Sequence, residues 1–291
     1  MKRRIVQYIA ALAFNGYLAG FLKGTVYNGS LKRICVPVLN CTSCPGALGS
    51  CPLGLIQSSI LLGNYQLLIL TTGILLLLGG LLGRFICGWL CPFGLVQELL
   101  YKLPTPKYRP GQQLNGLNNL KYVTLILFVF LLPALGLPYL NGSAFCKYLC
   151  PAETLEAYLP LLAVQPSLMA TAGFLFKWKL ILLALLVVAA ALICRPFCRY
   201  ICPLGAVYGR LNRLSLLRLG IDQEHCKKCG VCQERCELGL DVTKDPDSPE
   251  CIRCTQCFAG CQDELLQVRL RYNLRACNLK KRFKNSKGQR M

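Results

Sequence analysis

Eight of the twenty cysteines lie in two copies of one spacing near the carboxyl end of the chain. Residues 226–236 read C-K-K-C-G-V-C-Q-E-R-C and residues 251–261 read C-I-R-C-T-Q-C-F-A-G-C, so each copy has the spacing C-x2-C-x2-C-x3-C. Three thiolates on so tight a loop hold three corners of one iron–sulfur cube, and the fourth cysteine of each copy ligates the other cube. The pattern therefore predicts two 4Fe–4S clusters with crossed ligation. One cluster takes Cys226, Cys229, Cys232 and Cys261, and the other takes Cys251, Cys254, Cys257 and Cys236.

Zinc and disulfide bonds are the alternatives for these eight cysteines. Zinc sites use paired C-x2-C units with a longer gap and take four ligands, and a disulfide framework requires an oxidising compartment. The bacterial ferredoxin pattern places proline after the fourth cysteine. Here Glu237 and Gln262 follow it, which loosens the turn without removing a ligand.

Three more cysteine pairs share the spacing C-x3-C followed by proline. They are Cys87 and Cys91, Cys146 and Cys150, and Cys198 and Cys202. Cysteines four residues apart share one helical face, and the proline ends or restarts the helix. The sequences I-C-G-W-L-C-P-F-G-L-V around Cys87 and F-C-R-Y-I-C-P-L-G-A-V around Cys198 match position for position, which indicates an internal repeat.

The elements that must position these cysteines are apolar helices. The chain of 291 residues is 54% hydrophobic, with a mean hydropathy of +0.44. Nearly continuous apolar runs lie at about 5–22, 61–82, 119–137 and 174–193, and a spanning helix needs about 20 such residues. The third run is short and contains Pro133, which indicates a kink or support from neighbouring helices.

The sequence thus predicts an α-helical integral membrane domain of about four transmembrane helices, followed by a small α+β bacterial-type ferredoxin domain with two 4Fe–4S clusters. The predicted boundaries are 1–218 for the membrane domain, 219–272 for the ferredoxin-like domain and 273–291 for a basic tail. The first run is interpreted as a retained anchor, because no small-x-small cleavage site follows Leu22.

The distribution of Lys and Arg predicts the orientation. Six of the 33 lie in the proposed outer segments and the other 27 on the proposed inner side. The sequence therefore predicts a multi-pass protein of a bacterial or archaeal cell membrane, with both termini and the ferredoxin module in the cytoplasm. The net charge of +20 is assigned to helix ends and to a tail near anionic lipid headgroups, and not to nucleic-acid binding.

Topology also predicts how the remaining cysteines assemble. A 4Fe–4S cube needs four thiolates, so Cys87 and Cys91 are expected to meet Cys198 and Cys202 at the inner face. At the outer face the Pro- and Gly-rich loop with Cys41, Cys44 and Cys51 is expected to meet Cys146 and Cys150, which offers five thiols for four places. Disulfides are the alternative in that loop. Cys35, Cys194 and Cys277 are spare, and a free buried cysteine is ordinary packing.

Several functions are disfavoured by what the sequence lacks. It has one histidine, His225, and no C-x2-C-H motif, so no haem site is predicted. No Asp or Glu lies inside the four runs, which disfavours an ion pump. Glu98, Glu153 and Glu156 flank the Cys-Pro elements. They are interpreted as solvated or paired carboxylates, with a quinone-linked proton acceptor as the alternative.

Three features together resemble a known family. They are the two inner C-x3-C-P pairs, a double ferredoxin module and the stretch Leu204-Gly205-Ala206-Val207-Tyr208-Gly209. It is similar to the membrane polyferredoxins of the NapH and NosR type, found with periplasmic nitrate and nitrous-oxide reduction systems. The likeness runs from the first span to about residue 270. It implies electron transfer between a quinol or cytoplasmic donor and an extracytoplasmic reductase or cytochrome. The Cys41/Cys44/Cys51 loop and the Cys146/Cys150 pair are additions to that pattern.

The leading hypothesis is a membrane iron–sulfur electron-transfer protein without a substrate of its own. Two clusters are predicted in the ferredoxin domain and one or two more in the membrane domain. One alternative is an accessory protein that supplies electrons for the maturation of an exported metalloenzyme. Another is a quinol-oxidising subunit of a reductase complex.

Overall fold

Three apolar helices dominate the computed structural model, which describes residues 2–109, 112–136, 143–165, 173–221, 226, 229–261 and 266–270. Within that part of the chain, Tyr65–Leu82, Gly116–Leu135 and Phe174–Leu192 are long and apolar enough to cross a membrane. Their outward side chains are apolar, and Ile69 and Leu185, for example, are 71% and 63% exposed. Lipid tails are a suitable surrounding for such a surface. The three helices correspond to three of the four predicted spans.

Most of the described chain is helical. In chain order the α-helices are α1 Lys2–Phe14, α2 Leu18–Lys23, α3 Pro52–Leu61, α4 Tyr65–Leu82, α5 Phe85–Trp89, α6 Pro92–Tyr101, α7 Leu120–Thr124, α8 Leu132–Leu135, α9 Ala144–Tyr148, α10 Pro151–Glu153, α11 Leu159–Val164, α12 Phe174–Leu192, α13 Pro196–Tyr200, α14 Pro203–Asn212 and α15 Val231–Glu234. Short 3₁₀ helices lie at Ser30–Arg33, Gln112–Asn119 and Gln256–Gly260, and π-helical turns at Leu125–Leu131 and Thr154–Tyr158.

The first predicted span, at 5–22, is divided into α1 and α2. At the break, Asn15 Nδ2 donates to Oδ1 of Asn40 at 2.9 Å, and the Tyr17 N–H donates to the Gly46 carbonyl at 3.1 Å. A loop far along the chain thus supplies partners for polar groups that a continuous helix would have satisfied internally. The apolar composition of the run carries no information about that contact, so the predicted single helix is replaced by two shorter ones.

A Cys-Pro step starts four of the helices. Cys51, Cys91, Cys150 and Cys202 are N-cap residues with extended backbone, and Pro52, Pro92, Pro151 and Pro203 occupy the first turn of α3, α6, α10 and α14. Proline suits this position because its missing N–H would have no intrahelical partner there. Each Cys-Pro step therefore fixes where a helix begins and leaves the cysteine at its amino end.

One unit of structure occurs three times. An apolar spanning helix is followed by a five-residue helix that carries the first cysteine of a pair, and then by a Cys-Pro helix. The five-residue helices are α5, α9 and α13. The repeat that the sequence indicated around Cys87 and Cys198 thus extends to Cys146.

Proline also interrupts the second spanning helix. Pro133 lies in the first turn of α8, directly after the π-helical turn Leu125–Leu131. Widening of a helix into π geometry shifts its hydrogen-bond ladder and so accommodates a residue without an N–H. The interruption predicted from Pro133 is therefore present as a π-helical turn inside one continuous span.

The carboxyl-terminal part contains a two-stranded antiparallel sheet. Strands β1 Leu217–Ile221 and β2 Leu266–Leu270 pair in the register Leu217 to Leu270, with Leu219 opposite Val268. Leu219 packs with Val242 and Cys257 in a small core. In the chain, α15 lies within the first copy of the four-cysteine spacing and the 3₁₀ turn Gln256–Gly260 within the second, and the two strands flank both copies.

The loop 35–51 is part of the core. Val38, Leu39 and Ala47 are buried in it, and Leu48 N–H donates to the Phe14 carbonyl at 2.9 Å. These contacts pack the loop against α1, and its position at the outer face of the membrane stays a prediction.

Candidate metal centre

Four cysteines from two copies of the repeated unit line one pocket. Cys87, Cys91, Cys198 and Cys202 all contribute to its wall. We call these four the proximal thiol group because they lie beside the ferredoxin-type part. Segment Pro37–Leu39 and Leu204 close the pocket with apolar groups. The pairs predicted to meet are therefore brought together.

Two buried arginines cross-link the two halves of the proximal thiol group. Arg84 Nη2 donates to the Cys198 carbonyl at 3.0 Å, and Arg195 Nη1 donates to the Cys87 carbonyl. Each arginine precedes the first cysteine of its own pair by three residues and binds the other pair. Sequence reasoning missed both, although their equal positions in the internal repeat were a usable signal.

Carboxylates hold these arginines in place. Arg195 Nε donates to Glu98 Oε1 at 2.9 Å, and Arg3 also binds Glu98 at 2.8 Å. Arg84 binds Glu250 at 2.9 Å, and Lys121 binds the other oxygen of Glu250. Four cations thus meet two carboxylates. The cations are thus in excess, and buried charge of one sign needs a counter-charge. A 4Fe–4S cluster with four thiolates is an anion, so these surroundings fit such a cluster.

A second set of thiols is called the distal thiol group. Its members are Cys51, Cys146 and Cys150, with Cys41 and Cys44 on the neighbouring loop. Cys51, Cys150, Cys91 and Cys202 belong to one continuous core. The distal and proximal groups are therefore separated by packed side chains and not by solvent. Tyr208 stands between them, fully buried, and its hydroxyl donates to the Pro37 carbonyl at 2.9 Å.

The five distal candidates differ in their surroundings. The pKa of Cys41 is raised well above its usual value by burial and by the neighbouring Glu156 and Cys150. The pKa of Cys44 is raised to about 11 by burial and by Glu156, with Lys32 acting in the opposite direction. Of Cys41 and Cys44, Cys41 is thus the one whose environment includes a thiol of the C-x3-C pair. Cys35 instead neighbours Cys51, which adds to the effect of burial on its pKa of about 12.

The distal thiol group has one ion pair and one carboxylate held by a backbone N–H. Lys179, a residue of a spanning helix, turns inward and pairs with Glu153. Glu156 Oε2 accepts a hydrogen bond from the Cys41 N–H at 2.8 Å. The interpretation of Glu98 and Glu153 as paired carboxylates is confirmed by these contacts.

The eight cysteines of the ferredoxin-type part fall into two groups. Burial and the neighbouring Cys254, Cys251 and Cys236 together raise the pKa of Cys257 to about 12. Cys232 has Cys226 and Cys229 as its thiol neighbours. The small core around Leu219 contains cysteines of both groups, Cys232 and Cys261 as well as Cys251 and Cys257. The structure therefore brings Cys236 to the second copy of the spacing, as crossed ligation requires.

The ferredoxin-type part docks on the proximal thiol group through the segment 248–253. A Cβ added to Gly88 would lie 2.2 Å from the Ile252 carbonyl oxygen, so the Cys87–Cys91 turn touches the Cys251–Cys254 turn backbone to backbone. Trp89 Nε1 donates to the Arg253 carbonyl at 3.1 Å. Asn212 Nδ2 donates to the carbonyls of Ser248 and Cys251 at 2.8 and 2.9 Å.

A single metal ion is not what these thiols are arranged to hold. Over the described ranges, no three Cys, His, Asp or Glu side chains converge closely enough for one ion, and the nineteen cysteines of those ranges are free thiols. An iron–sulfur cube takes its thiolates at separated corners, which agrees with four thiols spread over one pocket.

Three cysteines lie outside these groups. Cys194 is buried between Leu238 and Ile252, and its thiol lies 3.7 Å from Glu237 Oε2. Cys35 pairs with Ser50 through an isolated backbone bridge. Cys277, His225 and the basic tail at 273–291 lie outside the described residues.

Comparisons with known proteins agree with this chemistry. A family described as a 4Fe–4S binding domain matches residues 65–110, 122–159 and 177–222, which are the three copies of the repeated unit. An uncharacterized protein of Methanocaldococcus jannaschii is 32% identical over 219 residues, which cover 72% of this chain and 74% of that protein. The putative electron transport protein YccM of Escherichia coli is 28% identical over 62% of this chain and 49% of its own length. The ferredoxin-type protein NapH of Escherichia coli is 26% identical over 65% of this chain and 63% of its own length. No solved structure matches the chain.

Proposed function

Because the chain belongs to the membrane polyferredoxin-type 4Fe–4S proteins, we propose that it carries electrons across a membrane through four 4Fe–4S clusters. The proposed route joins a cytoplasmic or quinol donor to an extracytoplasmic acceptor. No bond-making reaction is assigned to the chain.

The proposed ligands follow the thiol groups. One cluster takes Cys226, Cys229, Cys232 and Cys261, and the next takes Cys236, Cys251, Cys254 and Cys257. The third takes the proximal thiol group, Cys87, Cys91, Cys198 and Cys202. The fourth takes Cys51, Cys146 and Cys150 with Cys41, which is favoured over Cys44 by its proximity to Cys150.

The backbone contact between Gly88 and Ile252 is the observation that carries this proposal. It joins the turn of the proximal thiol group to the turn that holds Cys251 and Cys254. Electron tunnelling falls steeply with distance, so two redox groups held on touching turns exchange electrons directly. A ferredoxin tethered only to hold it near a membrane would not need that contact.

The clusters, when bound, supply one-electron chemistry. The chain's own residues perform the other tasks. Arg84 and Arg195 fix the two proximal cysteine pairs against each other, and the core around Tyr208 keeps water from the space between the two thiol groups. Burial and fixed charges of this kind set reduction potentials.

The proposed orientation places the amino terminus and the ferredoxin-type module on one side of the membrane. Arg3 at the start of α1 binds Glu98 beside the proximal thiol group, whereas Phe14 at its end binds Leu48 of the distal loop. α1 therefore extends from the proximal to the distal thiol group.

The proposal also keeps the predicted domains. They are a membrane domain at 1–218, an α+β ferredoxin-like domain at 219–272 and a basic tail at 273–291.

Iron and acid-labile sulfide analysis of the anaerobically purified chain, together with EPR, tests the four clusters. About sixteen irons per chain are expected from four cubes. Cys202→Ala and Cys150→Ala should each remove about four irons and one EPR component, and the two losses should add. Cys194→Ala is the matched control, a buried cysteine outside the proposed ligand sets, and should retain the full iron content.

An iron content of about eight in the wild type, unchanged in Cys202→Ala and Cys150→Ala, would leave clusters only in the ferredoxin-type module. The transmembrane route would then be abandoned. Reporter fusions at both termini test the orientation, and opposite sides for the two termini would contradict it.

A further inference from the structure

Two buried glutamines occupy equivalent places beside the two thiol groups of the membrane domain. Gln57 follows Cys51 by six residues and Gln97 follows Cys91 by six. Both lie on the Cys-Pro helices, α3 and α6, and their exposures are 0% and 1%. A buried carboxamide must find partners for all its polar atoms, so its contacts identify what it is positioned to bind.

The contacts of Gln97 are to the opposite cysteine pair. Its Oε1 accepts a hydrogen bond from the Phe197 N–H at 3.1 Å, and its Nε2 lies 3.1 Å from Cys198 Sγ. Nε2 also donates to the Phe93 carbonyl one turn earlier in its own helix, at 3.4 Å. Gln97 thus connects the amino end of α6 to α13. In α13 it contacts the backbone of Phe197 and the thiol of Cys198, the first cysteine of that pair.

Gln57 repeats this set of contacts at the distal thiol group. Its Oε1 accepts from the Phe145 N–H at 2.9 Å, and its Nε2 lies 3.8 Å from Cys146 Sγ. Nε2 donates to the Leu53 carbonyl of its own helix at 3.0 Å. The same three kinds of partner occur in the same order. The two glutamines are therefore structural equivalents, although the sequences of α3 and α6 differ at most other positions.

The orientation of each amide is determined by its neighbours. The N–H groups of Phe145 and Phe197 can only donate, so each glutamine oxygen must face them. The NH₂ group is then left facing the cysteine sulfur. N–H···S bonds to a cluster thiolate stabilise the reduced, more negative state, and so they raise the reduction potential.

We propose that Gln57 and Gln97 are a matched pair of positioning residues, each of which holds one C-x3-C turn and donates an N–H to its first cysteine. Each would thereby set the reduction potential of one cluster, the distal one for Gln57 and the proximal one for Gln97. The inference rests on the proposed function, because it assigns residues to two of the clusters proposed there. The N···S distance is shorter at Gln97 than at Gln57, so the larger effect on reduction potential is expected at the proximal cluster.

The test uses Gln57→Met, Gln97→Met and the corresponding leucine variants in the purified full-length chain. Methionine and leucine fill a similar volume and lack the N–H. Gln165→Met is the matched control, since Gln165 is exposed and its nearest assigned partner is the Gly24 carbonyl at 3.5 Å. Iron content and EPR-monitored redox titration are measured for each variant.

Each Gln57 or Gln97 variant is expected to shift one EPR component to a more negative potential and to leave the other components in place. The Gln97 component should be the one lost in Cys202→Ala, and the Gln57 component the one lost in Cys150→Ala. Loss of about four irons from that site alone supports the positioning role in the same way. Gln165→Met should match the wild type.

Unchanged potentials at full iron content in both the methionine and leucine variants would overturn the inference. So would a uniform loss of all components, which would show that the glutamines act on the whole fold. A wild-type content of about eight irons would instead overturn the proposed function itself. The two failures are therefore distinguishable.

Discussion

Arg195 holds the proximal site together from a strained backbone position. Its φ is +52°, in the left-handed region that residues with a Cβ rarely adopt. The side chain is buried and binds Glu98, the Cys87 carbonyl and the Gly88 carbonyl. Conformations of this kind cost of order 1–3 kcal/mol and persist where the surroundings over-determine them. Here the surroundings are two cysteine turns that must face each other.

Arg195→Met should therefore damage the proximal site strongly. Removal of one partner of a buried ion pair costs about 3–5 kcal/mol, and Glu98 would retain only Arg3. We expect loss of about four irons per chain and a lower thermal midpoint. Arg213→Met is the control, because Arg213 and its partner Asp245 are largely exposed at 3.8 Å. Full iron content in Arg195→Met would contradict this role.

Because of the raised pKa values of thiols in the ferredoxin-type module, we expect the uptake of clusters to depend on pH. Burial raises the pKa of both Cys251 and Cys257 to about 12, so the cluster-free thiols are protonated at neutral pH. A cluster binds thiolates, and its uptake must release those protons. Uptake is thus favoured as pH rises toward 12 and opposed as pH falls, by up to about tenfold per pH unit for each proton released.

Anaerobic reconstitution of the cluster-free chain at a series of pH values between about 7 and 9 measures this dependence. The yield of clusters, followed by absorbance and iron content at constant ionic strength, should increase across the series. A yield that falls or stays level would mean that these thiols are already ionised before iron arrives.

At the scale of whole elements, the contact between the Cys87–Cys91 turn and the Cys251–Cys254 turn holds the ferredoxin-type module against the bundle. Gly88 lies against the Ile252 carbonyl with no room for a side chain. Gly88→Ala should push the ferredoxin-type module away, cost about 1–3 kcal/mol through overpacking, and slow electron transfer from the module to the proximal cluster. Flash-induced or stopped-flow reduction kinetics would measure the rate.

Gly73→Ala is the control for that substitution. Gly73 lies in α4, and a Cβ there would meet nothing within 4 Å, so alanine should leave the electron-transfer rate unchanged and stabilise the helix by up to about 1 kcal/mol. An equal rate in Gly88→Ala and Gly73→Ala would show that the backbone contact is not part of the electron route.

The sequence was informative about helices and about spacing, and less so about loops. Three apolar runs and the C-x3-C-P units predicted three spanning helices and the meeting of Cys87 and Cys91 with Cys198 and Cys202. Local composition encodes both features. The break at Asn15 depends on Asn40, and the roles of Gln57 and Gln97 depend on Phe145 and Phe197. Such partners are distant in the chain, so periodicity could not identify them.

On the scale of the whole molecule, charge is unequal between the two membrane sites. Arg3, Arg84, Lys121 and Arg195 share Glu98 and Glu250 around the proximal thiol group. The distal thiol group has Lys179 with Glu153, and Glu156 on the Cys41 N–H. Positive charge stabilises the added electron in a low-dielectric interior. The proximal cluster should therefore have the higher reduction potential.

A redox titration that assigns components through Cys202→Ala and Cys150→Ala checks this order. Burial raises the pKa of Glu156 to about 7. Above that pH, Glu156→Gln should also raise the distal potential, because it removes a negative charge and keeps a carbonyl oxygen for the Cys41 N–H. The shift should shrink as the pH falls below about 7 and the carboxyl becomes protonated. Glu234→Gln, at an exposed position of α15, is the control and should change neither potential. A distal potential above the proximal one in the wild type would contradict the charge argument.

Cys229 is exposed, whereas Cys257 is buried and the segment 248–251 is docked on the bundle. Air and chelators reach iron through solvent, so damage should begin at the Cys226–Cys232 end and proceed inward. A preparation handled briefly in air would then lose the cluster of Cys226, Cys229 and Cys232 first. Its other clusters would stay intact, but it would no longer accept electrons from a soluble donor.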